Sequence, residues 1–309
     1  GDFQYLKLAT QWPHWGKPSE FERRAYYSPS YYAHYYGTQI FQVFVASAGF
    51  LREAGVEQEL YVGIPLDKVT KGNWKQVPLE VVVFDSLWNE LVRVNTTLED
   101  ACSYADPGVE AILIRELNVS LPPGNYVVAV AVPDSVSGTL GLGEESMTVP
   151  RLSRDSLSIS DIKLAYLVPH GYAGAAGGTR ILPNPSETYF APSPPKLYYE
   201  VYNLAPDRDG RYRFVTKYSM IPTGKTKGGF WSGLTSLFGL RQPYILSSFG
   251  REVGSPSSAE QLSIDLSALR DGAYHLVLEV EDSVSRQSAR VERSFQKFSS
   301  LPSSGASAK

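Results

Sequence analysis

Apolar residues along this chain fall in short runs and not in the long stripes of period 3.6 that mark helices. β-Branched and aromatic residues cluster at 40–45, 59–64, 81–84, 91–94, 112–114 and 126–132. After a polar junction at 150–155 the pattern resumes at 159–168, 179–182, 197–204, 212–221, 244–249, 262–266, 274–281 and 289–298. Gly, Pro, Asp and Asn separate the runs, as expected of strands joined by turns. The pair 81–84 and 91–94, around a polar 85–90, predicts a hairpin. Many short strands with frequent turns point to sandwiches or barrels. No amphipathic helix of 10–15 residues intervenes, which argues against a parallel α/β sheet.

The two halves echo each other. Residues 121–137 read LPPGNYVVAVAVPDSVS and 269–285 read LRDGAYHLVLEVEDSVS, aligned without a gap, with 8 of 17 positions identical. Duplication of a whole domain produces such a repeat. Leu121 and Leu269 are placed to pack under a corner. Gly124 and Gly272 give the turn its backbone freedom, and Tyr126 and Tyr274 open the next strand. Leu-x-x-Gly-x-Tyr ahead of an alternating strand resembles the tyrosine corner of immunoglobulin-like sandwiches. The pattern therefore predicts an all-β protein of two tandem immunoglobulin-like antiparallel β-sandwich domains, 38–150 and 156–298. An aromatic-rich arm (1–37) precedes them, an insertion (222–243) interrupts the second, and a Ser/Pro/Gly-rich tail (299–309) follows.

The two copies differ in one respect. In the second, Tyr274, Leu276, Leu278 and Val280 alternate with His275, Val277, Glu279 and Glu281, giving one buried and one mostly solvated face. In the first, the alternate positions Val127, Ala129 and Ala131 are apolar too. The outer side of that strand is therefore expected to be covered by the N-terminal segment, the other domain or a partner.

Composition narrows the function classes. A chain of 309 residues is long enough for two self-sufficient cores. Its 29 Lys and Arg against 32 Asp and Glu, with a pI near 5.9, leave no basic footprint for nucleic acid. No run of 18 apolar residues exists, so no transmembrane segment is expected. The single cysteine, Cys102, cannot make an internal disulfide or a cysteine-based zinc site and reads as a half-buried filler. The chain opens at Gly1, as a processed or trimmed product would.

Candidate chemistry is sparse. His14, His34, His170 and His275 lack the spacing of a metal site. The glycine-rich 171–178 leads into a strand-like run and not the helix N-terminus a phosphate cradle needs. Asp207, Asp209 and Gly210 read as an Asp-Gly turn, since the twelfth position of a calcium loop starting there is Tyr218. No catalytic, cofactor-binding or metal-binding residue is expected. Two segments suggest interaction instead. Residues 1–37 hold Trp12 and Trp15 among many tyrosines, suited to covering a domain, to self-association or to glycan contact. In 222–243, Phe230, Trp231, Leu234, Leu237 and Phe238 share one face of a short helix flanked by Lys225, Lys227 and Arg241. That face would either cap its own sandwich or dock a neighbouring subunit or membrane surface.

The strings ELYVGIPL (59–66) and PLEVVVFD (78–85), then LPPGNY, LSISDIKLA (157–165), ILPNPS (181–186) and LYYEVYNL (197–204), resemble the β-rich region of bacterial GWxTD-domain proteins over roughly 38–298. The Gly-Trp-x-Thr-Asp motif is absent. The resemblance implies a bacterial, extracytoplasmic protein and transfers no catalytic residue. The combined expectation is a non-catalytic structural, assembly or protein-interaction module of a cell envelope or extracellular polymer. The alternative is a carbohydrate-binding surface protein.

Overall fold

A computed structural model describes residues 39–69, 73–105, 111–166, 181–190, 195–223 and 245–299. The first half supplies β1 (Gln39–Gln42), β2 (Phe44–Arg52), β3 (Gly55–Pro65), β4 (Pro78–Asp85), β5 (Glu90–Thr97), β6 (Cys102–Tyr104), β7 (Ile112–Ser120), β8 (Gly124–Asp134) and β9 (Thr139–Val149). The second supplies β10 (Ser158–Ile159), β11 (Lys163–Tyr166), β12 (Leu182–Pro183), β13 (Thr188–Phe190), β14 (Lys196–Tyr202), β15 (Tyr212–Pro222), β16 (Ile245–Val253), β17 (Ser258–Ser263), β18 (Gly272–Asp282) and β19 (Ser288–Phe298). Helical structure among the described residues is confined to two single 3-10 turns, Leu66–Lys68 and Trp74–Gln76. The protein is all-β.

In the first half, a sheet ordered β1-β9-β8-β4-β5 faces one ordered β2-β3-β7-β6. In the second, β13-β19-β18-β15-β16 faces a sheet centred on β14, with β17 on one side and β10 and β11 on the other. The halves correspond closely. In each, a parallel edge strand joins the last strand, β1 on β9 and β13 on β19, where all other pairings are antiparallel. One large core lies between the first pair of sheets, including Leu60, Val62, Val81, Val83, Leu113, Val128 and Val130. A second lies between the other pair, including Leu197, Tyr199, Val201, Phe214, Leu276 and Leu278. Each draws on alternate residues of its strands, the period that puts one side of a strand inward.

The repeat is a pair of tyrosine corners. The Tyr126 hydroxyl donates to the Pro122 carbonyl at 2.7 Å and the Tyr274 hydroxyl to the Arg270 carbonyl at 2.8 Å. Leu121 and Leu269 are buried beneath them, each in its own core. At the far end of the same strands the buried carboxylates of Asp134 and Asp282 accept the backbone N–H groups of Val136 and Ser137, and of Val284 and Ser285. The turns close with a left-handed residue at matching positions, Gly138 (φ 68°) and Arg286 (φ 61°). The glycines of the corner differ: Gly272 has φ 152°, whereas Gly124 has no such requirement, and a Cβ there would instead meet the Tyr126 hydroxyl at 3.3 Å.

Three sequence expectations change. The run 40–45 is not one strand, because the chain leaves one sheet for the other at Val43, whose N–H bonds the Leu142 carbonyl. The run 159–168 is broken into β10 and β11. Strand β9 is not marked in the sequence, because Gly141 and Gly143 interrupt its apolar pattern. Those glycines admit the crossing edge: a Cβ on Gly141 would lie 2.5 Å from the Phe41 ring, and one on Gly143 would lie 2.5 Å from the Val43 carbonyl oxygen.

Candidate interaction surfaces

The two halves meet through a buried seam. On β3, Leu60, Val62 and Ile64 enter the first core, so Glu59 and Tyr61 face the other way. On β14, Leu197, Tyr199 and Val201 enter the second core, leaving Tyr198, Glu200 and Tyr202 outward. These two outward faces stack. Lys163 of β11, only 6% exposed, places its ammonium 2.5 Å from Glu59 and 3.6 Å from Glu116. It also sits over the rings of Tyr61, Phe50 and Tyr198, at 4.9 to 5.9 Å from their centroids. The Tyr61 hydroxyl donates to Glu59 at 2.6 Å. Desolvation, with Glu59 beside it, pushes the Tyr61 phenol well above its ordinary value.

A further ion pair crosses the seam at its edge. Arg52 donates to Glu200 at 2.9 Å, and Glu200 also accepts from Tyr198 at 2.6 Å and Tyr202 at 2.8 Å. Burial works to raise the Glu200 carboxyl, but these hydrogen bonds outweigh it and hold the group below its usual range. The Tyr202 hydroxyl in turn accepts the Leu51 N–H at 3.0 Å. Backbone joins the halves as well. Gly49 N–H donates to the Asp161 carboxylate at 2.8 Å, and Asp161 N–H returns to the Gly49 carbonyl at 3.1 Å. Burial raises Asp161, with the Gly49 N–H acting against it. Tyr104 stacks on Tyr166 at 4.2 Å between ring centroids, and Ile112, Ile114 and Leu182 close the same flank.

The opposite sheet of the first half carries a different surface. Val82, Phe84 and Trp88 form one apolar cluster with Val127 and Ala129. Ala131, Leu140 and Leu142 form another with Ile40. All belong to the outer face of β1-β9-β8-β4-β5 or its first turn. Glu80, on the same face and 4% exposed, pairs through one oxygen with Arg93, while its other oxygen is buried without a hydrogen-bond partner. Burial raises its carboxyl against the pull of Arg93. The expected two-sided apolar strand is therefore present. The described residues of the other half do not cover it, since they meet the first half on the β2-β3-β7 side.

Other candidates have modest geometry. Asp207 accepts the N–H groups of Asp209 and Arg211 and, through its carbonyl, that of Gly210 (φ 75°), which makes the expected Asp-Gly turn. His275 is half-buried and hydrogen-bonded to Ser294 at 2.9 Å. Cys102 is half-buried against the Tyr104 flank. A cleft of roughly 380 Å³ between the β2–β3 turn and the first tyrosine corner is lined by residues including Arg52, Gly55, Glu57, Ser120 and Pro122. Among the described residues no group of three or more His, Cys, Asp or Glu could hold a metal ion, and no helix is long and apolar enough to cross a membrane. Trp12, Trp15, Phe230, Trp231, Leu234, Leu237 and Phe238, like His14, His34, His170 and 171–178, lie outside the described residues. The seam is not legible in the sequence, where Glu59, Tyr61, Tyr198, Glu200 and Tyr202 have the pattern of the solvated face of a strand. No protein-family model and no curated protein matches the chain.

Proposed function

We propose that this protein is a non-catalytic structural or assembly module, a stiff two-sandwich block that holds a protein partner or further copies of itself. The observation that carries this reading is the seam. Contacts between domains within a chain usually permit relative motion. Here a desolvated lysine paired with two glutamates, the Arg52–Glu200 pair and a shared tyrosine–glutamate cluster are committed to one mutual orientation. A spacer or scaffold needs that stiffness. The likeness to the β-rich region of bacterial GWxTD-domain proteins supports placing it outside the cytoplasm, in a cell envelope or extracellular polymer. Exposed Val136 (79%) and Leu87 (66%), each held at the tip of an aspartate-capped turn, offer contact points at opposite ends of the first sandwich. Size-exclusion chromatography with light scattering on the full chain tests the proposal. Mass rising above one chain with concentration, and falling back in Val136→Arg or Leu87→Arg, is expected. A single-chain mass at every concentration, with no partner recovered by affinity capture, would contradict it.

A further inference from the structure

We propose that the outer face of the β1-β9-β8-β4-β5 sheet is the docking surface for residues 1–38 of the same chain. Val82, Phe84, Trp88, Ala131, Leu140 and Leu142 are all buried. Yet among the described residues the clusters they form contain residues of this one sheet and its β4–β5 turn alone, and the described part of the other half is engaged on the opposite sheet. Something apolar must shield them, because an uncovered patch of this kind would be left in water at about 25 cal/mol per Å².

Residues 1–38 suit the position. They run directly into β1, the edge strand of this face, and Ile40 of β1 already belongs to the cluster of Ala131, Leu140 and Leu142. Crossing five strands takes roughly 20 Å, or about 6 extended residues, so the segment is ample in length. Tethering at the edge of the face gives an effective concentration on the order of millimolar, which favours a chain's own segment over a free partner. The chemistry also fits. The segment holds 11 aromatic residues, among them Trp12, Trp15 and Tyr36, whose apolar rings carry hydrogen-bond donors. The buried, unpartnered oxygen of Glu80 calls for such a donor. This inference is independent of the assembly proposal and holds for a strictly monomeric chain.

The test is limited trypsin digestion of the full chain, reading cleavage after Lys7, Arg23 and Arg24 by mass spectrometry. Ala129→Arg puts a charge at the centre of the face, and Val127→Glu does so at a half-buried site beside it. Val284→Arg, on the exposed β18–β19 turn of the other half, is the control. Docking predicts slow cleavage in the parent and the control, and cleavage about tenfold faster in both face variants, with far-UV circular dichroism unchanged. If Ala129→Arg fails to fold, Val127→Glu alone decides. Cleavage equally fast in parent and face variants would overturn the proposal. So would acceleration confined to Lys225, Lys227 and Arg241, which would assign the face to 222–243. A parent dimer that Ala129→Arg splits while cleavage within 1–38 stays unchanged would assign it to a second copy.

Discussion

Single residues hold the two corners and one buried defect. Both corner tyrosines make the same hydrogen bond, but Tyr274 is buried whereas Tyr126 is half-exposed. Removing the hydroxyl leaves a carbonyl unpaired, and the penalty grows with burial. Urea denaturation should show a loss of about 1.5 kcal/mol for Tyr274→Phe and about 0.5 kcal/mol for Tyr126→Phe; equal losses would mean that the corner bond does not depend on burial. Gln58 presents the converse case. It is 0% exposed, and neither its Nε2 nor its Oε1 has a hydrogen-bond partner. An unsatisfied buried amide is costly, so Gln58→Met, which keeps the volume, should raise stability by about 1 kcal/mol in the same assay. A fall in stability would show that the amide is satisfied in solution. At this scale the sequence was informative where the chemistry is local. The corner bond joins residues four apart and leaves a Leu-x-x-Gly-x-Tyr signature. Gln58 lies just ahead of the apolar run 59–64, where a glutamine reads as solvated although Leu60, Val62 and Ile64 put its side of the strand inward.

At the scale of elements, strands with intact alternation were legible and those broken for packing reasons were not. The inward face of β18 is legible because Tyr274, Leu276, Leu278 and Val280 alternate without interruption and enter the second core, whereas its other face is not the mostly solvated one expected: Val277 is buried and His275, Glu279 and Glu281 are half-buried. Strand β9 was lost behind Gly141 and Gly143, whose purpose is to let β1 cross. A glycine in a strand interior often marks such an approach. Gly143→Ala should therefore cost about 1–3 kcal/mol, because the methyl group would meet a backbone oxygen that cannot rotate away. Thermal unfolding checks this, and an unchanged melting temperature would show that β1 can shift freely. The segment β10–β11 carries a pH-dependent link to β2 through Asp161. Its folded pKa lies above the ordinary 3.8, so the unfolded chain releases its proton first as pH rises. This group's contribution to stability then falls between that value and the folded one, and is level above it. Glu200, held low, acts in the opposite direction: its contribution is lost as pH falls below the ordinary glutamate value of 4.5. Asp161→Asn can still accept the Gly49 N–H. It should remove the first effect, so that the melting temperature measured relative to the parent rises as pH climbs above the ordinary aspartate value of 3.8. Identical profiles would show that Asp161 does not titrate across the seam.

At the scale of the whole molecule, the sequence shows the 121–137/269–285 repeat but not how the two halves sit. The repeat lies within each half and carries no information about the surface between them. Seam residues such as Lys163 and Glu59 look like the solvated face of any strand until the partner sheet is placed over them. Stacking these faces turns ordinary surface charges into a desolvated cluster, where loss of one partner strands the other and costs about 3–5 kcal/mol. Differential scanning calorimetry of the full chain and of Lys163→Ala tests the claim that the seam makes one body of two sandwiches. The parent should unfold in one transition whose calorimetric and van't Hoff enthalpies agree. Lys163→Ala, which leaves Glu59 with only the Tyr61 hydroxyl and the more distant Arg52 at 3.9 Å, should split it into two, one for each half. Two independent transitions in the parent, or a variant that melts as a single unit at the parent temperature, would contradict the account.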